Sequence, residues 1–520
     1  MNKFISIVVL ISIILITKGY AGGITGYVTN SNEEPVEFAS IYVEEIGTGT
    51  STNIEGFYQI ILSPGSYTLV FQHLGYKAKV VKVEIIDSFT TLNINLEAES
   101  IVLKTVVVQA NNEDPAYTIM RKAITKAKYH KQQLNSFEAE VYIKGSGRLI
   151  ESPFFLKKTI EKEGMDSTAS YATESVSKIK YTRPNMYEEE VISIRSTGQD
   201  NGTSPNSFIF GSFYDPQYVN AISPLSPKAF AYYKFEYLGT KVERGYEISK
   251  IRVIPRSMGD EVFWGEISII EDIWCIQSTN LNMQNMGVIF NIKQIYEPVE
   301  PFAWLPISHK FDVTGKFFGF KFEYGYLSTI GKYKIELNKD LVQEIEIIDE
   351  KIEKETVNNL GKKSKNELDN TLVQGGQITR KQFRKLINAY EKEEKNKENE
   401  PLVVSNYTTK VDSLAANSDS AYWAQLRPVP LTNYEIKGYH KIDSIAFAEK
   451  AELEGDTLVK NRSDKFQIMD ALTTYTFKLS ENDRLTYYSP TMLFNYNTVE
   501  GFNTALKLKF IHSKTKQNYL

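Results

Sequence analysis

Histidine is the side chain best suited to bind a metal ion or to transfer a proton near neutral pH. A zinc carboxypeptidase needs a histidine and a glutamate at short spacing plus a distant histidine, leaving one coordination position open. No histidine of this chain begins an H-x-x-E sequence, and H-E-x-x-H is absent. The sequence therefore predicts no metal site and no cofactor. The five histidines are His73, His130, His309, His440 and His512.

The sequence gives equally little support for a catalytic nucleophile or a phosphate-binding loop. The single cysteine, Cys275, has no histidine close to it in sequence and is expected to be a buried core thiol. No G-x-S-x-G occurs, and Gly361-Lys-Lys-Ser364 has Thr356 where a phosphate loop needs glycine. The acidic run 188–190 is expected to be an exposed charged edge. We predict no catalytic residues and no enzyme activity; a hydrolase with an unrecognised site is one alternative.

Composition sets the broad class. A chain of 520 residues exceeds one domain at ~150 residues each. The formal net charge of −4 shows no excess of basic residues with which to bind nucleic acid, so no nucleic-acid partner is expected. The aromatic fraction of 12% suits strands, because aromatic rings favour half-buried pleated surfaces. The fold class predicted is mainly β.

Residues 1–21 have the pattern of a signal peptide. Lys3 precedes an apolar run at 4–16, and small residues lead to a cleavage site after Ala21. The run is too short for a membrane-spanning helix, which needs about 20 residues. We therefore expect export to the cell envelope.

Residues 23–98 show short alternating runs separated by turn signals, which predicts a small β-sandwich. Gly56 is placed where a sharp turn needs a positive φ. The segment resembles the carboxypeptidase regulatory-like domain, a transthyretin-like sandwich found on exported proteins of the Bacteroidota. The residues that carry this resemblance are Gly26 and Val28, the run 33–36, the run 47–58, Ser63-Pro-Gly-Ser-Tyr67 and His73-Leu-Gly-Tyr76.

Residues 99–113 are expected to be a linking strand. Within them, the β-branched run at 101–110 is similar to the TonB box of receptors that carry this domain, an edge strand that pairs with an energy-coupling protein. An ordinary linking strand explains the run as well. A TonB-like partner is therefore one of two readings.

Residues 114–338 are predicted to form a β-rich periplasmic domain. Asp114 caps a helix with Pro115 in its first turn, and strands follow at 137–144, 246–254, 263–270, 275–283, 288–296 and 317–326. The prolines around Trp304 favour a loop there. The pattern resembles the half-barrels of periplasmic lipoprotein carriers, which implies a curved antiparallel sheet that holds a lipid or another apolar ligand.

Residues 339–410 are rich in both charges and predict a partly helical linker, and residues 411–483 predict a helical segment. Thr432-Asn-Tyr-Glu435 is a capping box. Arg427 is either the partner of a buried ion pair or a surface residue before two prolines. The run 419–435 resembles part of an uncharacterised Bacteroidota outer-membrane family that joins a carboxypeptidase regulatory-like domain to a C-terminal β-barrel.

The run 494–501, Phe-Asn-Tyr-Asn-Thr-Val-Glu-Gly, is similar to the barrel entry of the same family. Phe502, Leu506, Leu508 and Phe510 alternate with polar residues, as in one strand of an outer-membrane barrel. Residues 484–520 are therefore expected to begin a β-barrel in contact with outer-membrane lipids, and the chain is expected to be truncated within it.

Three function classes follow. The first is a non-enzymatic outer-membrane barrel protein whose periplasmic domains bind or scaffold, in transport or envelope assembly. A soluble periplasmic ligand-binding protein and the hydrolase are the alternatives.

Overall fold

The computed structural model describes an N-terminal part almost continuously and a C-terminal part in short pieces. The N-terminal part comprises residues 22–86, 88–100, 114–153, 170–196, 211–219, 221–259, 261–285, 287–300, 303–317, 319–339 and 341. The C-terminal pieces are residues 406–412, 415, 422–423, 427–432, 435–436 and 439, and five strands between 475 and 512. The expected signal peptide at 1–21, the run 101–110 and most of the charged linker lie outside the described residues.

The first region is a sandwich of two four-stranded sheets. One sheet contains β1, β4, β7 and β8, and the other has the order β3-β2-β5-β6. The strands are β1 (Gly22–Asn30), β2 (Ser40–Val43), β3 (Thr48–Ser51), β4 (Phe57–Leu62), β5 (Gly65–Gln72), β6 (Lys79–Ile85), β7 (Phe89–Thr91) and β8 (Ile94–Leu96).

Alternating apolar residues of both sheets fill the space between them, as a sandwich core requires. Ile24 and Val28 of β1 pack with Tyr58 of β4 and Phe71 of β5. Gly56 turns the chain into β4 with φ of +73°, and a side chain there would meet the Val28 carbonyl oxygen at 2.7 Å. The sandwich and the role of Gly56 were therefore predicted correctly.

The second region is an eleven-stranded sheet of order β14-β15-β16-β17-β18-β19-β20-β9-β10-β11-β21, called the large sheet below. Its strands pair antiparallel except β21, which runs parallel to β11. The elements are α1 (Pro115–Gln132), β9 (Leu134–Glu151), β10 (Ser170–Thr182), β11 (Met186–Ser196), the small hairpin β12 (Gln217–Tyr218) and β13 (Ala221–Ile222), α2 (Ala229–Tyr232), β14 (Tyr233–Glu243), β15 (Tyr246–Pro255), β16 (Trp264–Ile270), β17 (Cys275–Asn285), β18 (Val288–Glu300), β19 (Ala303–Phe317), β20 (Phe320–Leu337) and β21 (Asn406–Val411).

Helix α1 begins where the sequence predicted. The Asp114 carboxylate accepts a hydrogen bond from the Ala116 N–H at 2.9 Å, and Pro115 occupies the first turn. The helix buries Met120 and Ala123 against one face of the large sheet, together with Phe213, Tyr218 and other side chains of the segment around β12 and β13. We call this face the helix face and the opposite one the outer face.

One local prediction was wrong and another was correct only in part. Pro298 and Pro306 lie inside β18 and β19, because register shifts near both residues interrupt the ladder and tolerate a residue without an N–H. The acidic run 188–190 is exposed at Glu188 and Glu190 as predicted, but it lies in β11, which has partners on both sides and is not an edge. Its middle residue, Glu189, is buried and accepts a hydrogen bond from the Ser177 hydroxyl at 2.7 Å.

The C-terminal strands form two further sheets. They are β22 (Tyr475–Lys478), β23 (Asp483–Tyr488), β24 (Phe494–Asn497), β25 (Gly501–Thr504) and β26 (Lys507–His512). Residues 501–510 were expected to be a single strand. Instead β25 pairs with β24, and β26 pairs with β23, so the two halves of that stretch belong to different sheets. The mainly β fold class is confirmed.

Candidate functional site

The sandwich packs directly on the outer face of the large sheet. Tyr42 and Val70 of the sandwich form a small buried cluster with Ile295 of β18 and Ile307 of β19. The Lys332 N–H of β20 donates to the Gly47 carbonyl at 2.6 Å, which joins the two backbones. The two regions are therefore held together by apolar contact and by a main-chain hydrogen bond.

A buried carboxylate lies at the centre of this contact. Glu297 is fully buried and forms an ion pair with Arg244 at 2.6 Å, and Arg244 reaches Glu44 of the sandwich at 2.6 Å. The Gln72 side-chain amide of the sandwich also donates to Glu297. Burial raises the pKa of Glu297, and Arg244 acts against that effect. Glu297 Oε2 is thus paired within the large sheet, whereas Oε1 takes its hydrogen bond from the sandwich.

The segment around Arg427 docks on a neighbouring part of the outer face. Arg427 forms a bidentate ion pair with Glu174 of β10, with Nε–Oε1 at 2.5 Å and Nη2–Oε2 at 2.6 Å. The Glu174 side chain is 0% exposed and Arg427 only 12%. The Tyr142 hydroxyl donates to the same carboxylate at 2.6 Å. Of the two roles open for Arg427, the structure shows the buried ion pair.

Burial acts to raise the pKa of Glu174. The hydrogen bonds and the positive charge of Arg427 outweigh that effect, so the pKa lies below its ordinary value of 4.5. The carboxylate is therefore ionised at neutral pH, and the ion pair with Arg427 is present in the folded protein.

A second ion pair fixes the same segment a few residues later. Lys144 of β9 contacts Glu435 at 2.7 Å and donates to the Pro430 carbonyl at 3.2 Å. Glu435 also accepts from the Thr432 N–H at 2.8 Å, while the Thr432 hydroxyl accepts from the Glu435 N–H at 3.2 Å. This reciprocal pair is the predicted capping box.

Apolar and aromatic contacts complete the docking. Trp423 and Val429 are fully buried against Tyr142, Val176 and Leu327 of the outer face. Arg195 lies over the ring of Tyr439 at 4.3 Å. The Thr50 hydroxyl of the sandwich donates to the Pro428 carbonyl. We call the meeting point of the sandwich, the large sheet and the described residues between Trp423 and Tyr439 the junction.

The helix face carries groups of a different kind. His309 is buried there, and burial lowers its pKa to about 3. Thr279, Gln294, His309 and Ser328 stand side by side on four adjacent strands, and all four are buried. Gln294 contacts His309 and Tyr218, whereas Thr279 Oγ1, His309 Nε2 and Ser328 Oγ have no hydrogen-bond partner. We call these four residues the polar row.

The residues considered for catalysis lie apart from one another. His73 is at the sandwich, His130 is at the end of α1, and burial lowers the pKa of each to about 4. Cys275 is buried, and burial raises its pKa. His440 lies outside the described residues, and of His512 only the backbone is described. Among the described residues no group of three or more histidines, cysteines and carboxylates could hold a metal ion.

Sequence reasoning identified Arg427 and the capping box but not their partners. Glu174 and Lys144 lie 253 and 286 positions from the atoms they bind in the segment. Their strands carry a weak sign of this role, since each residue is charged and has apolar or aromatic neighbours at alternate positions, as in Tyr142-Ile-Lys144. Nothing local indicates which distant residue neutralises them.

Comparison with known proteins matches two parts of the chain. Residues 24–108 match the profile of the CarboxypepD_reg-like domain. The N-terminal resemblance is confirmed. Residues 119–333, which make up most of the large sheet, match a family of unknown function, DUF5686. No curated protein matches the chain. In the part that the structure describes, no helix has the length and apolar character needed to cross a membrane.

Three solved structures are similar to parts of the chain. A DUF1329 family protein from Desulfovibrio piger is 9% identical with a TM-score of 0.19, over 43% of this chain and 94% of its own. A LolA superfamily protein from Nitrosomonas europaea is 8% identical with a TM-score of 0.17, over 43% and 95%. A DUF3823 family protein from Parabacteroides merdae is 11% identical with a TM-score of 0.15, over 30% and 89%.

Proposed function

We propose that the protein is a non-enzymatic scaffold of the cell envelope. In this proposal residues 1–21 direct export, and the sandwich and the large sheet lie in the periplasm. The strands after residue 475 belong to an outer-membrane β-barrel. The scaffold holds residues 423–439, the segment that leads to those strands, at a fixed place on the outer face.

The observation that carries the proposal is the docking of residues 423–439 through two buried ion pairs. Breaking a buried ion pair by removing one partner costs about 3–5 kcal/mol, because the other charge stays buried without compensation. The Glu174–Arg427 and Lys144–Glu435 pairs therefore fix the place at which the segment docks, because any other placement would leave a buried charge without its partner. A segment that only linked two folded parts would need no such attachment.

The chemistry of the described residues also favours a non-enzymatic role. His130 and His309 are buried and His73 is half-buried, burial lowers the pKa of all three below neutral pH, and the thiol of Cys275 is buried with a raised pKa. A general base works best with a pKa near the working pH and within reach of a substrate. A hydrolase would instead require a site elsewhere, and a loss of activity on chelation would reveal it.

Localisation tests the proposal. We expect the full chain, expressed in its natural host, to sediment with the outer membrane and to resist carbonate extraction. The sandwich should be cleaved by added protease only after the outer membrane is permeabilised. Recovery in the soluble periplasmic fraction would overturn the scaffold proposal and favour a soluble ligand-binding protein.

A second candidate function is to hold a lipid or another apolar ligand on the helix face. Much of that face is filled by α1 and by the aromatic residues around β12 and β13. Towards Gly145 and Gly147, however, Phe290, Tyr324 and Tyr326 are only half buried. Native mass spectrometry of protein purified from an envelope extract tests this candidate, and repeated absence of bound lipid would exclude it.

Residues 101–110 keep two proposed roles, an edge strand for a TonB-like partner and an ordinary linking strand. Site-specific crosslinking from this run in living cells separates them. A crosslink to an energy-coupling protein supports the first role, and crosslinks confined to this chain support the second.

A further inference from the structure

A cavity of about 140 Å³ lies between the sandwich and the outer face of the large sheet. The sandwich side is the turn from His73 to Tyr76, with Ala78 and Glu99. The opposite side is formed by strands β14 to β18. Ligand sites occur preferentially where two folded regions meet, because each supplies one wall.

The charged side chains of this cavity already neutralise one another. Lys241 contacts Glu99 at 3.1 Å and Glu243 at 3.0 Å, and Lys250 contacts Glu99 at 3.5 Å and Glu266 at 3.0 Å. The cavity has one more carboxylate than ammonium groups. His73 adds no positive charge at neutral pH, since burial lowers its pKa to about 4. An anion therefore has no excess of positive charge to bind.

The rest of the lining combines neutral hydrogen-bonding groups with ring surfaces. Ser268, Ser278 and Asn280 present hydroxyl and amide groups from β16 and β17. Facing them, the rings of His73 and Tyr76 meet edge to face with centroids 5.4 Å apart. Donors and acceptors are thus fixed on one wall and aromatic carbon lies on the other.

The size of the cavity limits its occupant. A protein cavity of about 150 Å³ holds one benzene-sized molecule, and this cavity of 140 Å³ is open to solvent on one side, so it accommodates one six-membered ring whose outer substituents project into solvent. A sugar ring carries several hydroxyl groups, each able to donate and to accept, and its C–H faces pack against aromatic rings. We propose that this cavity binds one uncharged sugar ring and that the bound sugar bridges the sandwich and the large sheet.

Isothermal titration calorimetry on the full mature chain tests the proposal. The probes are D-glucose, D-galactose, N-acetyl-D-glucosamine and its β-1,4-linked dimer, with inorganic phosphate as the anion control. We expect heat from at least one sugar and none from phosphate. Tighter binding of the dimer would identify the end of a glycan as the source, and equal affinity would identify a free sugar.

Two variants connect binding to the cavity. Ser268→Leu fills it and should abolish sugar binding. Ser278→Ala removes one hydroxyl with little effect on packing and should weaken binding about threefold to tenfold, the value of one hydrogen bond. Thr314→Leu, at an exposed position of β19, is the matched control and should bind like the unaltered chain.

Three results would overturn the proposal. The first is no heat from any sugar at about 10 mM, a concentration that detects a Kd near 1 mM. The second is sugar binding that neither cavity variant changes, provided that Ser278→Ala keeps the circular dichroism spectrum of the unaltered chain. The third is phosphate binding that sugars do not displace, which would make the cavity an anion site.

Discussion

Glu174 is a charged residue of the outer face that binds the segment around Arg427. It is fully buried, yet it is ionised, because Arg427 and Tyr142 donate three hydrogen bonds to it and the charges of Arg427 and Lys144 stabilise the carboxylate. The same geometry makes it dependent on a residue far away in sequence. Removing either partner leaves the other as an uncompensated group at the junction.

Glu174→Gln should therefore release residues 423–439 from the outer face. The lost charge leaves Arg427 buried without a counter-ion, at a cost of about 3–5 kcal/mol. Limited proteolysis should cut near Arg427 much faster in the variant, while the sandwich stays intact. Glu188→Gln is the matched control, because Glu188 is an exposed carboxylate on the adjacent strand β11. Equal cleavage rates in the two variants would show that the ion pair does not hold the segment.

The pH dependence of this contact has a defined sign. The pKa of Glu174 is lower in the folded chain than its ordinary value of 4.5, so the folded state binds fewer protons than the unfolded state. Its contribution is present above pH 4.5 and is lost as the pH falls through the lower folded value. The difference in unfolding free energy between the unaltered chain and Glu174→Gln should therefore be constant from pH 7 to about 5 and shrink below 4.5. Urea titrations at each pH measure it, and a difference that grows on acidification would contradict this reading.

In the polar row, by contrast, a substitution is expected to raise the stability of the fold. The hydroxyl of Thr279 is buried without a partner, and such a group costs about 1–3 kcal/mol. Valine has nearly the same shape and no hydroxyl, so Thr279→Val should raise the free energy of unfolding by about 1 kcal/mol. Thr314→Val at an exposed position should change it little. A lower stability of Thr279→Val would mean that the hydroxyl has a partner after all, such as an ordered water molecule.

At the scale of elements, sequence patterns predicted the features that depend on residues close together in the chain. The start of α1 followed from Asp114 and Pro115, and most strands of the sandwich and of the large sheet followed from alternation. Strands β10, β11, β14 and β21 were not among the predicted strands, and the start of β19 was predicted as a loop. In β10 and β11, buried polar residues such as Glu174, Ser177 and Glu189 interrupt the apolar alternation. Pro298 and Pro306 were misread because a bulge is set by the partner strand, and the partner is not visible in the sequence.

The cap of α1 is testable at this scale. Asp114 accepts hydrogen bonds from the Ala116 N–H and, at 3.2 Å, from the Tyr237 N–H of β14. It therefore connects α1 to β14, the edge strand of the large sheet. Asp114→Ala should lower the free energy of unfolding by about 1–2 kcal/mol, because both N–H groups lose their acceptor. Asp114→Asn keeps an acceptor oxygen and should lose less. Chemical denaturation measures both, and equal losses would point to the charge rather than the hydrogen bonds.

At the scale of the whole molecule, the sandwich has its own core and yet depends on its neighbour for part of its surface. Its buried apolar residues, from Ile24 to Leu96, contact one another across both sheets. We therefore expect a fragment of residues 22–100 to fold alone and to unfold cooperatively on heating. Glu44 and Gln72 would then face water in place of Arg244 and Glu297. A fragment without a cooperative thermal transition would show that the sandwich requires the large sheet.

The candidate site could be predicted only in part, because its residues come together only in the tertiary structure. The buried ion pair was one of two roles left open for Arg427, and the junction brings together Thr50, Glu174 and Pro428, which no local pattern connects. The cavity at His73 likewise needs two regions to be docked before it exists. Sites made by contact between distant parts require the tertiary structure.

The junction also affects the order in which parts of the chain can fold. A chain that crosses a membrane N-terminus first presents Lys144 and Glu174 long before Glu435 and Arg427 emerge. Until then Glu174 lacks its bidentate partner Arg427 and Lys144 lacks Glu435, so this part of the outer face stays in contact with water. Contacts over such long sequence separations also form late in folding. If the chain is exported as proposed, we therefore expect the outer face around Glu174 to become rigid only after the segment beyond residue 423 has arrived.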